Sequence, residues 1–148
     1  MKPQKYSALI EVSLNSGTAT QFSFPEQPYL RGKKIVGIMA SQALYGVDTG
    51  KLNICFAQNY TPSTTPCFVT FQESTGLNFI QNLPLVELNP VSYADVKQGA
   101  SNVYNLNNRG GLFEIKPRVI VWTKCFLFFP VPLGVDTYCA QFQIFYED

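Results

Sequence analysis

Histidine is absent from this chain of 148 residues, and with it every reaction that needs an imidazole. A Ser-His or Cys-His pair and a metal ion held by histidine are excluded together. Ser-x-x-Lys does not occur, which removes the lysine-activated serine, and neither Gly-x-Gly-x-x-Gly nor Gly-x-x-x-x-Gly-Lys is present to cradle a dinucleotide or a phosphate. Charge is scarce as well. Asp, Glu, Lys and Arg make up 14% of the chain, against about 25% in ordinary soluble domains, and a surface with so few ionic groups tends to associate. No stretch approaches the roughly 18 unbroken apolar residues that span a bilayer, and residues 1–7 are polar, so neither a membrane anchor nor an export signal is expected.

The four cysteines, Cys55, Cys67, Cys125 and Cys139, are widely spaced, with no Cys-x-x-Cys and no histidine to complete a zinc shell. Without an export signal they are expected to be reduced thiols packed as small hydrophobes. No cofactor or metal is therefore expected. The net charge is +1, and the eleven Lys and Arg are scattered apart from short runs at Arg31, Lys33, Lys34 and at Lys116, Arg118. Phosphate affinity grows with clustered cations, so nucleic-acid binding is not expected.

What is present is period-two patterning. In residues 8–14, Ala8, Ile10, Val12 and Leu14 alternate with Leu9, Glu11 and Ser13, and in residues 18–24 Thr18, Thr20, Phe22 and Phe24 share one face. With Asn15-Ser16-Gly17 between them, these two runs read as a hairpin. Further strands are expected over residues 34–41, 51–56, 67–72, 77–81, 112–116, 119–129 and 138–146, with a short helix over residues 92–98 and an irregular loop over residues 102–111. Strands separated by turn clusters, without repeat or linker, predict one all-β domain over residues 1–148: an antiparallel β-sandwich, with a jelly roll of about eight strands fitting the count best.

Residues 119–129 carry information beyond the fold. Val119, Val121, Cys125, Leu127 and Phe129 fall on one face, and Ile120, Trp122, Phe126 and Phe128 on the other. A sandwich strand needs one apolar face. Burial of such a side chain is worth about 1.5–3 kcal/mol, so four left in water would forgo about 6 kcal/mol or more. A loop of the same chain or a neighbouring subunit should cover them. Ile120, Trp122, Phe126 and Phe128 are accordingly candidate interface residues, with Arg31, Lys33, Lys34, Arg109 and Arg118 as candidate contacts to acidic neighbours. Each has a plainer reading, core packing for the apolar residues and solvated surface for the cations.

For catalysis, paired carboxylates are what remains. Glu11 and Glu114 are the acidic residues placed mid-strand, and a glycosidase needs its two within about 5–9.5 Å of each other. The plainer reading is that both face solvent, and no enzyme activity is expected. Carbohydrate binding on a sandwich scaffold is the alternative function, with Tyr60 and Tyr104, both in expected connections, as candidate glycan contacts.

Three segments carry a resemblance. Pro28-Tyr29-Leu30-Arg31-Gly32-Lys33-Lys34-Ile35-Val36-Gly37-Ile38, Leu83-Pro84-Leu85-Val86-Glu87-Leu88-Asn89-Pro90 and Phe113-Glu114-Ile115-Lys116-Pro117-Arg118-Val119-Ile120-Val121-Trp122 resemble small β-sandwich head proteins of bacteriophages, especially phages of Bacteroidetes hosts. None is a catalytic or metal motif. The resemblance implies a single jelly-roll structural protein of the virion, a capsid auxiliary, vertex or head-fibre-base component made in the host cytoplasm. Its implied partners are copies of itself and other virion proteins.

Overall fold

The computed structural model describes residues 5–56, 65–88 and 113–147. Nine strands run through them: β1 (Lys5–Leu14), β2 (Gln21–Ser23), β3 (Lys34–Ala40), β4 (Leu52–Asn53), β5 (Phe68–Gln72), β6 (Asn78–Pro84), β7 (Phe113–Arg118), β8 (Phe126–Phe128) and β9 (Tyr138–Glu147). Short 3-10 turns lie at Pro28–Leu30, Leu85–Leu88 and Trp122–Lys124. The described residues form two β-sheets joined by turns, as the alternation predicts. One sheet has the order β1-β9-β3-β7, with β4 also on β9; the other has the order β2-β8-β5-β6. Every pairing is antiparallel except the two-residue pairing of β4 with β9.

The alternation places the core. Ile10, Val12 and Leu14 of β1 lie beside Phe142 and Ala140 of β9 and are buried with them, while Phe22, Val69, Phe71 and Leu127 close the space from the other sheet. The Phe24 ring joins the layers, 5.3 Å from Phe71, 5.4 Å from Phe142 and 6.1 Å from Trp122. In β3 the pairing with β9 shifts at Val36, and this bulge lets Ile35 and Ile38, three apart, both reach the core. Pro117 is tolerated in β7 because β7 is an edge strand, where a missing N–H leaves no ladder broken on its open side.

Three expectations are corrected. Residues 8–14 and 18–24 do not form a hairpin: β1 pairs with β9 and β2 with β8, so residues 15–20 cross from one sheet to the other. Alternation sets which face is buried and carries no information on which strand is the neighbour. Residues 51–56 give only the short β4, because the chain turns at Ile54 and Cys55, and Asn53 is buried with them. Residues 119–129 are not one strand with two apolar faces. β7 ends at Arg118, Ile120 makes an isolated bridge to Glu73, a 3-10 turn follows at Trp122–Lys124, and β8 starts at Phe126. The turn reverses the assumed alternation, so members of both supposed faces enter one core. The expected helix over residues 92–98 and loop over residues 102–111 lie outside the described residues.

The fully described connections divide between two ends. Residues 15–20, 41–51 and 129–137 gather at the end where β1 and β3 finish and β9 begins. Residues 24–33, 73–77 and 119–125 gather at the other.

Candidate contact surfaces

The structure separates the four apolar candidates. Ile120 and Trp122 are each only 4% exposed and belong to the chain's own core. Phe126 and Phe128 flank the fully buried Leu127 and stand on the outer face of the second sheet, half-buried. Ser23 and Thr70 are level with Phe126, and Gln21 and Phe68 with Phe128. Of the six side chains so placed, three are phenylalanines and none is charged; Thr70 among them is buried, only 1% exposed.

The cations are placed differently from one another. Arg31 is paired with Glu26 on an exposed loop. Arg118 is held within the chain, its Nη1 3.0 Å from Glu73 and its guanidinium 4.8 Å above the Phe79 ring. Lys33 is half-buried, and Lys34 is exposed at the start of β3, level with Glu147. Arg109, Tyr60 and Tyr104 lie outside the described residues.

Glu11 and Glu114 are not brought together. They sit on β1 and β7, the two edges of the first sheet, three strand spacings or about 14 Å apart. Glu114 is level with Ser7 through Gly37 and Phe145, which adds four residues, about 13 Å, along the strand direction. The resulting separation, about 19 Å, exceeds the 9.5 Å limit for a glycosidase pair.

Glu11 instead anchors a loop. Its carboxylate accepts the Thr49 N–H at 2.9 Å, the Asp48 N–H at 3.4 Å and the Gln141 side-chain amide at 3.1 Å. Burial pushes this carboxyl up, but hydrogen bonds from the Thr49 hydroxyl, the Thr49 and Asp48 backbone and Gln141 outweigh it and hold it below the usual 4.5. Gly46 makes the approach possible: a Cβ there would meet Cys139 Sγ, Glu11 Oε1 and Thr49 Oγ1, each at 2.7 Å.

The Glu11 carboxyl titrates lower in the fold than in the unfolded chain. Its contribution to stability is therefore present above the unfolded value and lost as pH falls through the folded one. Replacing Glu11 with Gln removes one acceptor oxygen and sets an NH₂ group against the Thr49 or Gln141 donors. Exchange of the Thr49 amide should accelerate about ten-fold or more, as expected for losing hydrogen bonds to a charged group. The variant's thermal midpoint should also fall less steeply than the wild type's between about pH 6 and about pH 3. Unchanged exchange in Glu11→Gln would show that the loop is held by other contacts.

Beneath the same loop lies a polar residue within the expected strand 51–56. Asn53 is fully buried. β3 leaves the side of β9 after Ala40 and β4 joins that side at Leu52, opposite Tyr138, so the ladder is interrupted at Gln141. The Asn53 side chain fills the gap as a peptide group would: Oδ1 accepts the Gln141 N–H at 3.2 Å and the Cys55 N–H at 3.0 Å. Its Nδ2 donates to the Ser41 and Ala43 carbonyls at 2.9 and 2.8 Å. Gln141, also fully buried, accepts the Ser41 hydroxyl at 2.7 Å. Sequence reasoning missed Asn53, Gln141, Ser41 and Gly46, and the one available signal was an amide among the apolar residues of the stretches 52–55 and 139–142.

The loop so fixed exposes Leu44, Tyr45 and Val47, the last 73% exposed, at the end of the molecule where Val131 and Val135 are also exposed. All four cysteines are free and buried, and burial pushes the Cys55 and Cys125 thiols up to about 12, far from the thiolate that a nucleophile requires. Among the described residues no three Cys, Asp or Glu side chains gather to hold a metal ion, and no helix is long and apolar enough to cross a membrane. No family model, curated protein or solved structure matches the chain.

Proposed function

We propose that the chain is a jelly-roll structural protein of a virion, without enzymatic activity, that works through subunit–subunit contacts. With the short β4 set aside, the eight other strands are paired first with last (β1·β9), second with seventh (β2·β8), third with sixth (β3·β7) and fourth with fifth (β5·β6). That is the pattern of one long antiparallel hairpin rolled into two sheets, and it supports the jelly-roll reading. The scaffold is shared by capsid and lectin domains, so function has to be argued from the surface.

The observation that carries the assembly reading is the charge-free outer face of the second sheet, where Phe68, Phe126 and Phe128 stand together. Interfaces between like subunits are depleted of charge and enriched in aromatic residues at their centre, as this face is. Ile120 and Trp122 contribute from inside, by fixing the turn from which β8 begins. The contacts are to copies of the same chain and to other virion proteins.

Replacing Phe126 and Phe128 together with aspartate places charge at the centre of that face without touching the core residue Leu127. The variant should remain folded and lose its self-association, read as a lower mass in sedimentation. An unchanged mass would remove this face as the interface, and retention of the wild-type protein on a glycan array would favour the lectin reading.

A further inference from the structure

Where the chain leaves β7 it crosses between the sheets, and one stretch of its backbone is left half-used. Residues 119–121 lie against residues 72–74, with the Val121 N–H on the Gln72 carbonyl at 3.0 Å and the Ser74 N–H on the Val119 carbonyl at 2.9 Å. Ile120 bridges Glu73 between these two bonds. In an antiparallel pairing of this kind the flanking residues make the bonds, and the central residue's own N–H and C=O point to the opposite edge. There the Ile120 groups have no hydrogen-bond partner among the described residues, although Ile120 is only 4% exposed. Backbone N–H and C=O groups are paired almost without exception, with protein or with water, and Ile120 lines a cleft that admits a partner to these two.

A cleft of about 330 Å³ lies between residues 119–123 and the loop carrying Glu26, Gln27, Arg31 and Gly32. That is within the size range of ligand sites. Two further buried donors beside Ile120 in sequence, Arg118 Nε and Trp122 Nε1, also lack a partner, and Trp122 lines the cleft. Glu26 and Arg31 neutralise each other at the rim. The floor contributed by Val119, Val121 and Trp122 is apolar.

We infer that this cleft is a binding site for an extended, uncharged peptide segment of another protein, which adds as a short strand along residues 119–121. One residue of the segment exchanges two backbone hydrogen bonds with Ile120, and an apolar side chain packs on Val119 and Val121. The paired rim charges give no advantage to an acidic or basic segment, and the donor–acceptor pair on one residue matches the edge of an extended chain. The inference stands on the cleft alone and is independent of the proposed assembly face.

The test uses the full chain, labelled with ¹⁵N, titrated with the capped peptide acetyl-Thr-Val-Thr-Val-Thr-amide. Saturable movement of the Ile120 amide signal is expected. Two analogues, N-methylated at the threonines or at the valines, block opposite edges of the peptide. One should bind as the parent does and the other should lose about ten-fold or more in affinity. Thr123→Trp and Gln27→Trp, which fill the cleft from its two walls, should each abolish the response while keeping a dispersed spectrum. No saturable movement, equal binding of both analogues, or full binding to a folded filled variant would overturn the site. A filled variant that lowers the mass of the protein alone would place a second copy in the cleft and overturn the assignment to a different protein.

Discussion

Replacing Phe142 with alanine is expected to cost about 3–5 kcal/mol of folding stability, the largest loss from any single change considered for this chain. Phe142 is fully buried near the middle of β9, paired with Ile10 on one side and Ala40 on the other. Its ring lies 5.4 Å from that of Phe24, which in turn lies 5.3 Å from Phe71 of the opposite sheet, so the two layers meet through this line of rings. Truncation removes buried apolar area and leaves a cavity that two sheets held by their ladders can collapse around only in part. Urea denaturation measures this directly: the midpoint should drop with little change in slope, because the surface exposed on unfolding is nearly the same. A loss under about 1 kcal/mol would mean that the sheets are not joined through these rings.

The second large effect is expected at Asn53, where alanine should cost about 3 kcal/mol or more although almost no apolar area is lost. The substitution strips partners from the Ser41 and Ala43 carbonyls and from the Cys55 and Gln141 N–H groups. Each buried group left without a hydrogen bond costs about 1–3 kcal/mol, and only those that water can reach recover part of it. Asn53→Asp separates this from a packing effect. It keeps the shape and the oxygen that accepts the Cys55 and Gln141 N–H groups, yet turns a second carboxylate oxygen toward the two carbonyls in place of the NH₂ group. Aspartate should therefore be about as damaging as alanine at neutral pH, and a neutral outcome for either would contradict the bridging role of this side chain.

These two residues mark what was legible in the sequence. For Ile10, Val12 and Leu14 the period-two alternation identifies both the strand and its buried face, whereas Phe142 lies in an expected strand, residues 138–146, whose buried face the sequence left open. Alternation is a local signal, set by the pleat of one strand. Which strand lies beside which is decided by long-range pairing, so the reading of β1 and β2 as a hairpin failed although both strands were found. Asn53 failed for a related reason: its alternation is that of a strand, but the chain turns immediately after it, and the side chain repairs a gap in a ladder formed by residues far away. Residues 119–129 misled through hydrophobicity itself. An apolar run interrupted only by Thr123 and Lys124 reads as a strand with two faces to cover, whereas a 3-10 turn at Trp122–Lys124 directs Ile120, Trp122 and Leu127 into one core and leaves Phe126 and Phe128 outside. Among the candidate contacts, Arg118 was spoken for within the chain by Glu73 and Phe79, partners that its sequence neighbourhood does not reveal.

The central claim, that this chain works by assembling through the outer face of its second sheet, is tested most directly by the solution mass of the purified protein. Light scattering across a dilution series requires no knowledge of a partner. A mass several times that of the 16.6 kDa chain, held constant on dilution and reduced to that of the single chain by Phe126→Asp with Phe128→Asp, is the predicted result. A single-chain mass at every concentration, unchanged by the two substitutions, would contradict it.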